Sequence, residues 1–460
     1  MGIFGLLLAL AASVDTNLLV GTQMIYGPTD HVYNFTAADP LTEQTRRYVD
    51  GLGGNQLKIH LAPETTCSGY RLVCEPPPTS LQELVQIPSV ASALGLPQVR
   101  FYHMWVYSFS NDDYLKHNWT AAMEQAEYNE MLELTTHLLR AFNGTDKVFM
   151  LGNWEGDWAL LSASGCKKDG KFDKKCNATQ TVIGRMVAWA RQRQRAIDDA
   201  RKLVPNSTVT VLYYIEMNLG PEAVDGKPGV TNDVLPAVNP DLVSYSSYSS
   251  TNAYQTTTNV SQTDAAFHAV LDHVTSALPD KLSWVMERLG IQRRVFIGEY
   301  GTHLTDDVGI VRFTSRVTHA AISWGAPWAL YWEFYDNNST QPIVPRSGKD
   351  TALWHWFKSY YSAAKAFVAA HGGKPSEREF NAWAVTYFAE PAKSSCAYSQ
   401  NIGFPQSSGY RSQARSSAEC CDLCATNPGC AAGVFEEQVC YLKYSAAQPE
   451  PGKGVACIKK

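Results

Sequence analysis

The segment Arg294–Gly301 reads RVFIGEYG, a short apolar run that ends in a glutamate between two glycines. Its apolar residues follow one another instead of alternating with polar ones, which is typical of a parallel strand covered on both faces. Glu299 stands at the carboxyl end of this predicted strand. The segment therefore predicts a buried parallel strand that carries an acidic group at its C-terminal end.

Seven other apolar segments of this kind occur along residues 17–372, separated by stretches with helical periodicity, such as residues 128–142 and 183–204. Eight strands that alternate with helices predict an α/β fold of the (β/α)8 TIM-barrel type. A doubly wound open sheet is the alternative, but no glycine-rich nucleotide turn follows the first strand. The eight predicted strands are Leu18–Tyr26, Gln56–Leu61, Val99–Tyr107, Lys147–Gly152, Val209–Met217, Leu242–Tyr248, Arg294–Gly301 and Trp328–Phe334.

The composition changes after the last predicted barrel helix, Thr351–Ala370. Pro391–Ser395 reads as a linker, and seven of the eleven cysteines follow it. So small a domain has a meagre apolar core and usually depends on disulfide cross-links. We therefore expect a catalytic barrel over residues 14–391 and a small disulfide-rich α+β domain over residues 392–460.

The chain has features of an exported protein. Residues 1–13 form a short apolar run that ends in small residues, as in a signal peptide, and no segment is long enough to span a membrane. Cysteines in local pairs and one dense cluster indicate an oxidising compartment, so we expect a secreted or lumenal glycoprotein (extracellular, cell-wall, lysosomal or vacuolar). Eight N-glycosylation triplets agree with export: Asn34, Asn118, Asn143, Asn177, Asn206, Asn259, Asn337 and Asn338.

The charge of the chain limits its partners. The net charge is −5, from 39 basic and 44 acidic residues, and no basic run stands out. Nucleic acid and anionic membrane surfaces are therefore not expected as partners.

The reactive groups of a TIM barrel lie at the C-terminal ends of its strands, because the loops there surround one mouth. The fourth predicted strand runs into Asn153–Glu155 (NWE), and the seventh ends in Gly298–Gly301 (GEYG). Glutamates in these two places face each other across the mouth. Hydrolysis of a glycosidic bond requires such a pair, with one carboxyl group protonated and the other ionised.

This arrangement resembles the clan A glycoside hydrolases, a large group of retaining (β/α)8 enzymes, over residues 17–372. The resemblance implies that Glu299 is the nucleophile, that Glu155 is the acid/base, and that β-glycosidic bonds of a glycan substrate are cleaved without a cofactor. It also implies that Trp332, near the end of the eighth strand, forms the floor of the sugar site. A tyrosine on the sixth strand, Tyr245 or Tyr248, is expected to contact the nucleophile.

Other polar residues near strand ends have more than one interpretation. In the clan an asparagine directly precedes the acid/base, whereas here a tryptophan separates Asn153 from Glu155, so Asn153 is a substrate-binding candidate. Asp157 is the alternative acid. Glu216 is interpreted as a substrate-binding or supporting residue and Glu333 as a structural one. Sugar binding and barrel packing are both open for His60, His103 and Trp105.

Two cysteine pairs, Cys67 with Cys74 and Cys166 with Cys176, are close enough in sequence to form local disulfides. They follow the second and fourth strands and would stiffen the rim of the barrel mouth. Zinc binding is the alternative, but no histidines are grouped nearby at ligand spacing.

The C-terminal cysteines resemble a PAN/apple domain over residues 394–459, through Cys420–Cys430 (CCDLCATNPGC) and Cys440–Leu442. Such modules bind a protein or a carbohydrate, and a passive appendage is the other interpretation. The sequence alone allows fifteen pairings of six cysteines. The resemblance implies the disulfides Cys396–Cys457, Cys420–Cys440 and Cys424–Cys430, with Cys421 left over or in place of Cys420.

Three classes of function are compared. A retaining β-glycosidase predicts two strand-end glutamates, and both are present. A non-catalytic carbohydrate-binding or adhesin-like barrel predicts the loss of one of them. A metal-dependent hydrolase predicts His-x-His on an early strand, where this chain has Gly21–Gln23 (GTQ). The glycosidase is favoured, with the sugar, the linkage, internal or terminal cleavage and the oligomeric state left undetermined.

Overall fold

The computed structural model describes residues 16–23, 39–63, 65–110, 114–279, 282–336 and 340–389. In the C-terminal part it describes residues 396–403, 409–413, 420–421, 423–424, 430, 432–436, 439–443 and 450–459. Of the sequence-based predictions, the signal peptide, the linker with the boundary near residue 392, and the triplets at Asn34, Asn337 and Asn338 lie outside these residues.

Eight parallel strands form a closed barrel, which confirms the predicted TIM-barrel fold. Consecutive strands are neighbours around the barrel, and the eighth pairs with the first. Each strand coincides with a predicted one, although several are shorter; the sixth ends at Ser246, so Tyr248 lies in the following helix. The strands are β1 (Val20–Gln23), β2 (Gln56–Leu61), β3 (Phe101–Val106), β4 (Val148–Gly152), β5 (Thr210–Met217), β6 (Leu242–Ser246), β7 (Val295–Tyr300) and β8 (Ala329–Tyr331).

Helices connect the strands and cover the barrel. Several of them begin at a hydroxyl cap, for example Thr120, whose side chain accepts a hydrogen bond from the N–H of Met123. A π-helix (Val230–Val234) and a 3-10 helix (Asn252–Gln255) extend the loops after β5 and β6. The α-helices are α1 (Pro40–Gly51), α2 (Thr65–Gly69), α3 (Leu81–Gln86), α4 (Pro88–Gly95), α5 (Ala121–Ala141), α6 (Gly156–Ala163), α7 (Gln180–Leu203), α8 (Gly220–Val224), α9 (Leu235–Val238), α10 (Tyr248–Thr251), α11 (Val260–Ser276), α12 (Ser283–Leu289), α13 (Asp307–Trp324), α14 (Ala352–Ala370) and α15 (Glu377–Phe388).

Two hydrophobic layers explain why the strands read as continuous apolar runs. One set of strand side chains packs outward against the helices, and the alternate set fills the barrel. Because both faces are covered, most strand residues are apolar, and the few polar ones on the inward face are buried, among them Gln56, Lys58 and His103. The inner layer contains Phe101, Val148, Met150, Leu212, Tyr214, Leu242, Phe296, Trp328 and Leu330.

The C-terminal part contains a five-stranded antiparallel sheet. The disulfides Cys420–Cys440 and Cys424–Cys430 confirm two predicted pairs. Cys421 also forms a disulfide, so the expectation that it is left over is wrong. The side chains of the predicted pair Cys396–Cys457 are not among those described. The strands are β9 (Cys396–Gly403), β10 (Gly409–Gln413), β11 (Ala432–Glu436), β12 (Val439–Lys443) and β13 (Glu450–Lys459).

The disulfides Cys67–Cys74 and Cys166–Cys176 are both present, as predicted. Each closes a loop that follows a barrel strand, β2 or β4, on the side of the C-terminal strand ends. Among the described residues, no helix is both long and apolar enough to cross a membrane.

Candidate active site

Glu299 reaches the barrel interior through a bulge in β7. Phe296 faces the interior and Ile297 packs against the helices, so regular alternation would turn Glu299 outward. The pairing with β6 skips Gly298, and Glu299 therefore lies opposite Ser246. Bulges of this kind re-aim a single side chain, and here the bulge turns the carboxyl group into the mouth.

The bulge requires glycine at position 298. A Cβ atom there would overlap Ser244 Oγ and lie 2.7 Å from Glu216 Oε2. The glycine of the Gly-Glu pair therefore has a packing role: without a side chain at position 298, β7 can lie close to β5 and β6.

Glu155 lies in the turn between β4 and α6. Its backbone is in the left-handed region, with φ 21° and ψ 71°, which non-glycine residues seldom adopt. The Glu155 N–H donates a hydrogen bond to Glu216 Oε1 at 3.2 Å. Its carboxyl Oε1 accepts a hydrogen bond from Ser246 Oγ at 2.6 Å.

Ser246 links the two predicted catalytic carboxyl groups. Its Oγ, hydrogen-bonded to Glu155, lies 3.4 Å from Glu299 Oε2. The Tyr248 hydroxyl is also 3.4 Å from that oxygen. Both glutamates are almost completely buried, with exposed fractions of 7% for Glu155 and 2% for Glu299. The structure thus brings together the two carboxyl groups that the sequence predicts as a pair.

Lys58, on β2, provides the positive charge of the cluster. Its Nζ donates hydrogen bonds to Glu216 Oε2 at 2.7 Å, to Glu299 Oε1 at 3.0 Å and to the Gly298 carbonyl at 3.1 Å. The same ammonium group lies 4.3 Å from the centre of the Trp105 ring. A fully buried lysine is stable only with such partners.

Burial and the positive charge of Lys58 have opposite effects on the pKa values of Glu155 and Glu299. Burial raises the pKa of Glu155 to about 7; the nearby Glu216 adds to the rise, while Ser246 and Lys58 oppose it. Burial also raises the pKa of Glu299, and the Lys58 ammonium group opposes that rise. Glu155 is therefore suited to carry a proton near neutral pH, whereas Glu299 has an adjacent cation to balance its charge.

Aromatic side chains surround the carboxyl groups. The rings of Trp105 and Trp332 lie 5.6 Å apart, and Trp154 makes an edge contact with Trp105 at 6.5 Å. The Trp154 N–H donates a hydrogen bond to the Tyr107 hydroxyl at 2.9 Å, and the Trp154 side chain is 40% exposed. The site therefore combines buried acid groups with flat apolar walls, one of which is open to solvent.

The two tyrosines considered for contact with the nucleophile have different positions. Tyr248, the first residue of α10, directs its hydroxyl to Glu299. Tyr245 lies on the helix-facing side of β6, where its hydroxyl is 2.5 Å from Ser250 Oγ and its ring packs near Phe267. The structure does not bring Tyr245 to the carboxyl groups.

His103 and Asn153, both candidates for substrate binding, have fully buried side chains. His103 is fully buried between the rings of Phe296 and Trp328, and burial, aided by Lys58, holds its pKa well below the usual range. The Asn153 side chain is also fully buried and hydrogen-bonds the N–H and the carbonyl of Glu216, both at 3.3 Å. Asn153 therefore ties the loop after β4 to β5.

Both carboxylate oxygens of Asp157, the alternative acid, accept hydrogen bonds from backbone N–H groups. Its Oδ2 accepts from the N–H groups of Asn218 and Leu219, and its Oδ1 from that of Val230. These three bonds fix the loops after β5 and engage both oxygens of Asp157.

Two further residues are His60, for which sugar binding and barrel packing are both open, and Glu333, which is interpreted as structural. His60 is hydrogen-bonded to Thr65 Oγ1 at 3.2 Å and packs near Trp105; burial lowers its pKa to about 4. Glu333 is fully buried.

Sequence reasoning missed Lys58, Ser244 and Ser246. Lys58 had a detectable signal, because a lysine two residues before His60 in an apolar strand shares the inward face of that strand. The serines had none, since a short polar residue on a buried strand is common. Among the described residues, no group of three or more His, Cys, Asp or Glu side chains is arranged to hold a metal ion.

No protein-family model and no curated protein sequence matches this chain. Similar solved structures include an exo-beta-1,4-mannosidase from Opitutaceae bacterium strain TAV5, with 14% identity, a TM-score of 0.47, and coverage of 76% of this chain and 60% of that one. The beta-glycosidase BGL167 has 12% identity and a TM-score of 0.44, with 76% and 97% coverage. A beta-galactosidase from the psychrophilic Marinomonas ef1 has 10% identity and a TM-score of 0.43, with 79% and 61% coverage. This chain spans less than two thirds of the length of the mannosidase and of the galactosidase.

Proposed function

We propose that this chain hydrolyses β-glycosidic bonds with retention of configuration. The observation that carries the proposal is the Ser246 hydroxyl between Glu155 Oε1, at 2.6 Å, and Glu299 Oε2, at 3.4 Å. These two oxygens cannot be farther apart than the sum of the two distances. Retaining enzymes hold their carboxyl groups about 5–5.5 Å apart and inverting enzymes about 6.5–9.5 Å apart, and a hydroxyl group within reach of both carboxyl groups fits the shorter spacing better.

The proposed reaction has two steps and needs no cofactor. In the first, a carboxylate oxygen of Glu299 forms a bond to the anomeric carbon, the glycosidic C–O bond breaks, and Glu155 gives its proton to the leaving oxygen. In the second, Glu155 takes a proton from water, the water oxygen bonds to the anomeric carbon, and Glu299 leaves as a carboxylate.

The hydrogen bonds of Glu299 indicate which oxygen attacks. Oε1 is held by Lys58 at 3.0 Å. Oε2 has only two contacts in the described part of the chain, both at 3.4 Å, which is long for a hydroxyl hydrogen bond. Oε2 is therefore the freer oxygen, and we assign the attack to it.

The substrate we propose is a β-linked glycan. The rings of Trp154, which is 40% exposed, and of the half-buried Trp332 offer flat apolar faces, on which the apolar faces of sugar rings stack. The β configuration is supported by the strand-end motifs Asn153–Glu155 and Gly298–Gly301, which resemble those of the clan A glycoside hydrolases.

We also propose that the protein is secreted or lumenal and glycosylated, and that residues 392–460 form a PAN/apple-like module for a protein or carbohydrate ligand. Disulfides in both parts of the chain support an oxidising compartment. Peptide mass spectrometry of material secreted from eukaryotic cells should detect glycans; unmodified peptides at every described triplet would contradict the proposal. These triplets all have an exposed asparagine: Asn118, Asn143, Asn177, Asn206 and Asn259.

The activity is tested with a panel of β-glucans, mannans, xylans and galactans, in which the release of reducing ends is measured. Wild type is compared with Glu299→Gln and with Glu287→Gln, which makes the same change at an exposed position of α12. We expect hydrolysis by wild type and Glu287→Gln, and a decrease of about 10⁴-fold or more in Glu299→Gln. Circular dichroism checks that all three fold.

Proton NMR of the first product separates the two mechanisms. Retention predicts that the β-anomer appears first and mutarotates later, whereas a first product with the α configuration would exclude a glycosyl-enzyme intermediate. Full activity in Glu299→Gln would exclude Glu299 as the nucleophile. Binding of a glycan by folded wild type without hydrolysis of any panel member would favour the non-catalytic carbohydrate-binding barrel.

A further inference from the structure

Glu216 is a third buried glutamate in the cluster, and the reaction proposed above gives it no role. We propose that Glu216 is a positioning residue whose carboxylate holds the backbone of Glu155 with one oxygen and Lys58, the partner of Glu299, with the other. This inference rests on the proposed function, because it assigns Glu216 to the geometry of the acid/base and the nucleophile.

The contacts of the Glu216 carboxyl group define this role. Oε2 accepts hydrogen bonds from Lys58 Nζ at 2.7 Å and from Ser244 Oγ at 2.6 Å, and Oε1 accepts one from the Glu155 N–H at 3.2 Å. Each of these partners donates, and each donation suits an ionised carboxylate. The side chain is fully buried and both of its oxygens are engaged by protein donors, which favours positioning over direct contact with a glycan.

The same residue fixes the conformation of Glu155. The backbone of Glu155 has a positive φ, which costs free energy in a non-glycine residue and persists only when surrounding contacts hold it. The Glu155 N–H is held by Glu216 Oε1, and the Glu216 backbone is held in turn by Asn153. Displacing the Glu216 carboxylate would therefore release the acid/base from its turn.

Glu216 also contributes to the charge balance of the site. Three buried carboxyl groups face one ammonium group, an excess of negative charge that favours protonation of at least one carboxyl group. The negative charge of Glu216 favours the protonated form of Glu155, and the positive charge of Lys58 opposes it. The titratable and charged groups that face Glu155 are Glu216 on β5, Lys58 on β2, Glu299 on β7, Asp157 on α6 and Tyr248 on α10.

Glu216→Gln tests this role because it keeps the shape of the side chain and removes its charge. The new NH2 group must face a donor, either the Glu155 N–H or Lys58, so one hydrogen bond is lost. We expect kcat to fall about 10²-fold with KM changed less than about threefold, because misplacement of reacting groups affects the chemical step. The alkaline limb of the pH–rate profile should move to lower pH. Glu287→Gln is the matched control and should change neither quantity.

A second measurement does not depend on activity. In protein labelled with ¹³C in the glutamate carboxyl groups, the titration of Glu155 is followed by NMR, and its signal is assigned by its absence in Glu155→Gln. The midpoint for Glu155 should be lower in Glu216→Gln than in wild type and unchanged in Glu287→Gln. An unchanged midpoint together with an unchanged kcat would overturn the positioning role.

The two proposals fail in different ways. A shifted Glu155 midpoint in a protein that hydrolyses no panel member would refute the proposed function and leave the coupling of Glu216 to Glu155 standing. Hydrolysis by wild type with no effect of Glu216→Gln on kcat or midpoint would refute only the inference.

If Glu216→Gln does not fold, Ser244→Ala carries the test. It removes one donor to Glu216 Oε2 and keeps the carboxylate charge. A positioning role predicts that kcat falls about tenfold, in line with the loss of a hydrogen bond to a charged group, while the Glu155 midpoint stays close to wild type. An unaltered kcat in this variant would overturn the role.

Discussion

At the scale of single residues, Glu155 determines how the activity should depend on pH. Burial, aided by Glu216, raises its pKa to about 7, and in the proposed reaction the acid form protonates the leaving oxygen. We therefore expect kcat/KM to fall as the pH rises through about 7. A pH–rate profile on a substrate with a basic leaving group measures this limb. A substrate whose leaving group needs no proton serves as the comparison. An equal decrease of kcat/KM with rising pH for both substrates would contradict the assignment of Glu155 as the acid.

The same carboxyl group links stability to pH. Its pKa is raised from 4.5 in the unfolded chain to about 7, so between these values the folded protein keeps a proton that the unfolded chain has lost. The unfolding free energy should therefore fall as the pH rises from about 4.5 to about 7, by up to about 3 kcal/mol. Denaturant unfolding at several pH values measures the slope. Glu155→Gln should lack this contribution, and equal slopes in both proteins would exclude it.

Sequence patterns identified the catalytic candidates but not the groups that connect them. Glu155 and Glu299 were predictable because each follows an apolar strand at a place where barrel enzymes carry reactive groups. The links through Ser246 and Lys58 join residues far apart in the chain and depend on strand register, which residue patterns alone do not define. Tyr245 and Tyr248 could not be separated either, since the choice depends on where β6 ends.

At the scale of elements, the bulge of β7 predicts a strong effect of Gly298→Ala. The added methyl group would overlap Ser244 Oγ and crowd Glu216, so we expect a loss of about 1–3 kcal/mol in unfolding free energy and a large loss of activity. Gly184→Ala is the matched control: Gly184 lies in α7 with no neighbouring atom within 4 Å, and alanine there should stabilise by about 0.5–1 kcal/mol. Denaturant unfolding measures both. A neutral Gly298→Ala would show that the bulge does not need glycine.

The eight barrel strands were predictable in number and order because parallel strands covered on both faces leave long apolar runs. The bulge was not, since GEYG is also compatible with a regular strand end. Regular alternation would have turned Glu299 away from the mouth. The inward position of this residue therefore depends on contacts between β6 and β7 that only the folded barrel shows.

At the scale of the whole molecule, the barrel and the C-terminal part depend on disulfides to different degrees. The barrel has an extensive apolar core, and its two disulfides close short loops at the edge of that core, with Cys166 buried in it. Among the described residues of the C-terminal part, seven buried side chains cluster around Cys420–Cys440 together with Val308 of α13, and five of the seven are cysteines. A cluster so rich in cysteine depends strongly on its cross-links, each of which contributes about 2–4 kcal/mol.

Reduction should therefore unfold the C-terminal part and leave the barrel folded. With dithiothreitol, hydrogen exchange measured by mass spectrometry should accelerate in β11 and β12, whereas amides of β2 to β5 should keep the protection they have in the oxidised protein. The reduced protein should also keep the proposed glycosidase activity, because the hydrogen bonds that link Lys58 and Ser246 to Glu155 and Glu299 involve no cysteine. Loss of protection in β2 to β5 would show that the rim disulfides support the whole barrel. Unchanged exchange in β11 and β12 would show that the C-terminal sheet is stable without its cross-links.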